Sequence, residues 1–284
     1  MTRSCFNNAG CSRVSRVRTK ILCRVLAIAS LALTSSSFTI CGIHVDKGGT
    51  TAKGMNDSPA TERGGPPVLL FNGTGASPND VAAIETILNN NHLSYSTANS
   101  LRLNEMGESQ LRGYRLLIIP GGNFIDMGRS LNSSTAANIH NAVQNGLNYL
   151  GICAGGFLAG NSSYYNGLNL TSGVRFGFYS AEEKGIRKAA VAIVVAGAPT
   201  MEQYWEDGPQ FTGWGAVVGK YPDGTPAIVE GTSGRGWVVL SGVHPEAPAG
   251  WRRGMSFSTP AEIDNAYAGT IVKAALNQTS LAHF

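Results

Sequence analysis

Charge is scarce in this chain: only 14% of its 284 residues are Asp, Glu, Lys or Arg. That share, with abundant Gly, Ser and Asn, excludes a coiled coil and a highly charged disordered chain. Acids are missing altogether from residues 1–41, which carry Arg3, Arg13, Arg16, Arg18, Lys20 and Arg24. Without that segment the formal net charge of +4 becomes a slight acidic excess, 16 basic residues against 18 acidic. The body therefore offers no basic field to nucleic acid. Cysteine is scarcer still. Cys5, Cys11, Cys23 and Cys41 all fall in the first 41 residues, leaving Cys153 alone in the body. A disulfide framework needs more than that. No His, Cys and Asp stand at metal-ligand spacing, so neither a metal nor another cofactor is expected. "GTGASP" at 73–78 lacks both Gly-x-Gly-x-x-Gly and a Walker lysine, and reads as a strand-to-helix turn.

A long apolar run is also missing. Val25 to Leu33 follows the basic stretch ending at Arg24 and is too short to span a bilayer comfortably as a helix. A positive region, a short apolar core and then small residues describe a secretory signal. Residues 1–41 are accordingly read as a signal peptide or N-terminal membrane segment, and the protein as exported, to the periplasm or outside, or held at the membrane. The only membrane contact expected runs through that segment. Residues 42–66, polar, glycine-rich and without periodicity, read as a flexible linker. Asn-x-Ser/Thr triplets start at Asn56, Asn72, Asn132, Asn161, Asn169 and Asn277, and matter only in a pathway that glycosylates.

The folded domain is expected over 67–284. "PVLLFNG", "YRLLIIPGG" and "NYLGIC" are apolar strands, separated by helical patterns at 78–91 and 133–147 and a weaker strand at 93–97. Continuously apolar strands alternating with helices imply parallel pairing with both faces covered. The expected class is α/β: a doubly wound, mostly parallel sheet of flavodoxin-like type with helices on both faces, whose ligands sit at the carboxyl ends of its strands. Four further strands are expected at 189–195, 214–219, 226–230 and 236–242, then a closing helix over 260–277. The aromatic cluster at 204–214 reads as core in preference to a substrate wall.

In "YLGICAGGFLAG", Cys153 falls where a strand must turn sharply into a helix, with Gly151, Gly155 and Gly156 around it. A free cysteine is commonly a buried apolar filler. The strained strand-to-helix turn of Gly-x-Ser-x-Gly hydrolases, however, exposes its nucleophile in just this way. The following helix would set its N-terminal dipole beside the sulfur, an environment that favours an anion, and the Ala154 amide could donate to an oxyanion. A nucleophile needs a base. Of five histidines, His44 lies in the linker, His283 next to the C-terminus, and His92 and His140 on or beside helices. His244 remains, in "LSGVHPEAP", kept out of helical geometry by Pro245. Glu246 projects to the same side two residues on and can orient the imidazole.

"GICAGG" with a downstream "HPE" resembles the class I glutamine amidotransferases. "VLLFNGTG", "PGG" and "LSGVHPE" resemble more closely the N-terminal domain of biotin–protein ligases and its stand-alone relatives. The resemblance implies a Cys153–His244–Glu246 triad and an oxyanion loop at Gly121 and Gly122, joined by Ala154. It spans about 67 to 250. Two departures stand out. Gly156-Phe157 occupies the region where glutamine amidotransferases hold their substrate with a Gln, and Ala154 excludes the His that the related peptidases place after the cysteine. The stretch after Gly250 is too short for a biotin ligase catalytic domain. Two functions follow: a cysteine-dependent amidohydrolase or amidotransferase-like enzyme acting on a small carboxamide or peptide-like molecule, or a catalytically silent binding or regulatory module of the same fold.

Overall fold

The computed structural model describes residues 65–284. The N-terminal segment, the linker up to residue 64 and four of the five cysteines lie outside the described residues. The first strand, β1 (Val68–Phe71), is buried along its whole length. It ends in a turn and then α1 (Pro78–Asn90), whose N-cap Ser77 accepts a hydrogen bond from the Asp80 amide while Pro78 opens the helix. Ala83, Ile84, Ile87 and Leu88 form its buried stripe, with Asp80 at the top of it. Next come β2 (Tyr95–Ala98) and two short helices, α2 (Ser100–Glu105) and α3 (Glu108–Leu111). The strand β3 (Leu116–Ile119) leads through Pro120-Gly121-Gly122 to α4 (Phe124–Ser130). The helix α5 (Ser133–Gln144), β4 (Asn148–Ile152) and α6 (Ala154–Ala159) complete the first half. Three helices were not expected. Each is no longer than two turns, too short for an apolar period to register, and the local signals for two of them are the side-chain caps Asn99 and Asn123.

The second half is made of strands. β5 (Gly177–Phe178) pairs with β8 (Pro209–Gln210) in a small ladder of its own. The main sheet gains β6 (Lys188–Val195), β7 (Met201–Glu206), β9 (Ala216–Lys220), β10 (Pro226–Ser233) and β11 (Gly236–Ser241) before the closing helix α7 (Ala261–Asn277). "SGRG" at 233–236 is the β10–β11 hairpin turn. Nine strands lie in the order β2-β1-β3-β4-β11-β10-β9-β6-β7. From β2 to β11 every pairing is parallel, as the apolar strands imply; from β11 to β7 every pairing is antiparallel.

Alternate residues of the central strands feed two cores. Val68, Leu70, Leu116, Ile118 and Ile152 meet α1 and α7 on one face. Leu69, Phe71, Leu117, Ile119 and Tyr149 meet α2 to α6 on the other. A fully buried Leu or Ile contributes about 1.5–3 kcal/mol, so these rows hold the strand tips rigidly. Trp205 and Phe211 are core residues, as expected for the 204–214 cluster. That cluster also reaches the site, because β7 curls back and the His244 amide donates to the Tyr204 carbonyl at 2.8 Å.

Candidate active site

Three loops at the carboxyl ends of β1, β3 and β4, and a fourth after β11, converge on a cavity of about 430 Å³. Its walls include Asp80, Gly122, Asn123, Phe124, Cys153 and His244. Cys153 sits between β4 and α6 with φ 48° and ψ −104°, a conformation that costs a non-glycine residue about 1–3 kcal/mol. Close packing makes the turn. A Cβ on Gly155 would lie 2.1 Å from the Ile119 carbonyl oxygen, so only glycine lets α6 start against the end of β3. The Gly155 amide then donates to the Pro120 carbonyl at 3.2 Å, tying the elbow to the Gly121–Gly122 loop. Ala154 opens α6, and an N-terminal amide has no acceptor within its own helix.

The Cys153 thiol is buried and donates to the Glu206 carbonyl at 3.4 Å. Its side chain is also a partner of the His244 ring. On the far side of that ring, Nδ1 lies 2.9 Å from Glu246 Oε1 and 3.1 Å from Asp80 Oδ1, with all three residues buried. Burial disfavours the charged imidazole, but Glu246, Cys153 and Asp80 together outweigh it and hold the His244 pKa well above its ordinary value. Burial raises the Glu246 carboxyl. For Asp80 burial works in the same direction, yet the contact with His244 outweighs it and leaves the carboxyl below its usual range. The Tyr204 ring stands edge-on to His244, and its hydroxyl donates to Glu206 at 2.5 Å.

The rest of the cavity is half aromatic and half charged. Phe124 stacks on Phe157 with centroids 4.3 Å apart, and Phe178 meets Phe157 at 4.9 Å. Arg187 also lines the cavity and is held by Glu182 at 2.8 Å and Asp207 at 2.7 Å.

Cys153, His244, Glu246, Ala154 and Gly122 thus converge on one site. Gly121 has a different outlook: its α-carbon faces Asp80 and His244, and it is Gly122 that lines the cavity. Asp80, Tyr204 and Glu206 were missed. An Asp in the first turn of a helix reads as a complement to the helix dipole, and no local pattern links it to His244. Among the described residues, Asp80, His244 and Glu246 are also the group whose donor atoms, all within 4.8 Å of one another, could hold a metal ion. The ligand spacing sought in the sequence could not reveal a cluster drawn from separate segments.

The fold is that of the glutamine amidotransferase-like proteins. A crystal structure of a glutamine amidotransferase superimposes with a TM-score of 0.50 at 18% identity, covering 63% of this chain and 90% of that one. The PurLQS structure from Thermotoga maritima gives 0.48 at 17% identity, covering 76% of this chain and all of its own. Residues 67–186 match the family model described as "Biotin-protein ligase, N terminal". That segment contains Asp80, Gly121, Gly122, Cys153 and Ala154, and it ends before His244 and Glu246. No curated protein matches the chain in sequence.

Proposed function

We propose that the chain is a cysteine-dependent amidohydrolase of the glutamine amidotransferase type, acting on a small carboxamide or peptide-like molecule. The observation that carries this reading is the strained backbone of Cys153 beside a histidine backed by buried carboxylates. Strain of that kind persists only where the surroundings impose it, and a structural thiol has no use for it. The Cys153 sulfur attacks the amide carbon, and the Ala154 amide with the Gly121–Gly122 loop receives the oxyanion. His244 delivers its proton to the leaving nitrogen, releasing the amine and leaving a thioester. Water then attacks the thioester while His244 takes up its proton, and collapse yields the carboxylic acid and the free thiol.

Intact-mass analysis after exposure to a pool of small amides tests the reading. An acyl adduct on the Cys153 peptide, absent from Cys153→Ala, is the expected result. Ligand-induced thermal stabilisation that survives Cys153→Ser, with no adduct in the parent protein, would overturn it in favour of a silent binding module. One observation favours that second reading: Gly156 packs against Phe211 and Phe157 stacks on Phe124 where the resemblance calls for a glutamine-holding Gln.

Export, which we also propose, bears on the reaction. Ammonia released outside a cell meets no synthetase, so an exported enzyme of this type would hydrolyse without transferring nitrogen. N-terminal sequencing of fractionated cells decides this. A new terminus between about Ser36 and Asp46 in an exported fraction supports it, and intact Met1 in the cytosol refutes it.

A further inference from the structure

His244 Nδ1 can donate only one proton, yet two buried carboxylates face it: Glu246 Oε1, hydrogen-bonded at 2.9 Å, and Asp80 Oδ1, 3.1 Å away and without a hydrogen-bond partner of its own. They come from opposite ends of the domain, Glu246 from the loop after β11 and Asp80 from the first turn of α1. Asp80 is held in place on its own account. Ser77, the α1 cap, accepts from the Asp80 amide, and the Ser77 amide donates to the Gly121 carbonyl at 3.0 Å. Gly121 is what lets the two meet. A Cβ at this position would lie 2.1 Å from Asp80 Oδ1 and 2.7 Å from His244 Cε1, so any side chain would occupy the space of the contact.

We propose that Asp80 is a second positioning residue for His244, its charge set beside the Nδ1 that Glu246 holds by a hydrogen bond, and that Gly121 serves as the gap through which it reaches the ring. This rests on the reading of Cys153 and His244 as nucleophile and base. Two carboxylates behind one imidazole favour the imidazolium form, Glu246 through its hydrogen bond and Asp80 through its charge at 3.1 Å. They thereby bias the shared proton away from Cys153, toward the thiolate–imidazolium pair. The charged and titratable groups around His244 are Asp80, Glu246, Cys153 and Tyr204, with Glu206 beyond the tyrosine. Of the carboxylates, Asp80 and Glu246 touch the ring.

Alkylation by iodoacetamide tests this without knowledge of the substrate. The full chain is used, with EDTA present, and the Cys153 peptide is followed by mass from pH 5 to 9. Displacement of iodide creates no oxyanion, so the measurement ignores any part Gly121 plays in binding one. Asp80→Asn is expected to slow Cys153 alkylation at pH 7 by about tenfold, the equivalent of one pKa unit, and to move the profile toward higher pH. Gly121→Ala should do the same, and the double variant should be no slower than Asp80→Asn alone. Profiles of Asp80→Asn and the parent that superimpose, while His244→Ala differs, would overturn the role of Asp80. Superposition of His244→Ala itself would instead defeat the activated thiol on which the role depends. Should the Asp80 variant fail to fold, the ring nitrogens of the unmutated protein give a second readout. Both should be protonated at pH 7 by nitrogen NMR, and a His244 ring titrating in the ordinary histidine range would overturn the proposal.

Discussion

Arg252 Nη2 meets Asp264 Oδ2 at 2.5 Å, and both side chains are buried. The pair joins the loop beyond His244 to the first turn of α7. One residue on, Asn265 donates from Nδ2 to the Pro245 carbonyl at 2.9 Å and to the Ala247 carbonyl at 3.3 Å. The His-Pro-Glu segment is thus gripped from the outside by a helix that contributes nothing to the cavity wall.

Removing one partner of such a pair strands the other in the interior. Arg252→Met should cost about 3–5 kcal/mol of unfolding free energy, measured by urea denaturation. Arg252→Met combined with Asp264→Leu should recover most of it. Equal stability for the single variant and the parent would show that the pair is idle.

The same carboxyl makes stability depend on pH. Burial raises the Asp264 pKa to about 6, against the opposing pull of Arg252, from 3.8 in the unfolded chain. Between these values the folded protein holds a proton that the unfolded chain has released. Stability therefore falls as pH rises from about 4 to 6. Burial raises the Glu246 carboxyl too, and it acts in the same direction. Asp264→Asn should flatten the slope of melting temperature against pH only in part. An unchanged slope would remove Asp264 from the account.

Cys153 sits where glycine is at ease and other residues are not. Cys153→Gly should therefore be more stable than Cys153→Ala, by about 1 kcal/mol, reversing the usual order of these two residues. Chemical denaturation of the two variants side by side is sufficient. An alanine variant that proves the more stable would mean that the elbow carries no strain.

Gly155→Ala should fail for a different reason, the collision with the Ile119 carbonyl. The elbow and the end of β3 must separate, and a loss of about 1–3 kcal/mol is expected with loss of Cys153 adduct formation. A variant that melts like the parent and still forms the adduct would contradict the packing described.

The elbow and the His244–Glu246 contact were legible because each was written in a few consecutive residues: glycines around Cys153, and a proline and an acid after His244. The parallel strands were legible because burial on both faces demands unbroken apolar runs. Asp80 was not, since its partner lies on a distant strand tip and nothing near it in sequence differs from an ordinary helix start. Nor was the outlook of Gly121. A glycine after a strand tells of a turn, and only the atoms that a side chain would strike reveal what the missing side chain makes room for. In the antiparallel half four strands were foreseen, but β7, the edge strand that returns to the site, was not, and its return depends on curvature, which no local pattern records.

The position of β11 also has a consequence for synthesis. Although it is the last strand of the chain, it lies in the middle of the sheet, between β4 and β10. A growing chain would present Cys153 and its elbow well before β11 and the loop after it, which holds His244, have left the ribosome. Until β11 pairs with both neighbours, the parallel and antiparallel halves of the sheet are not joined. Any reactivity that depends on His244 would be switched on only when β11 has joined the two halves of the sheet.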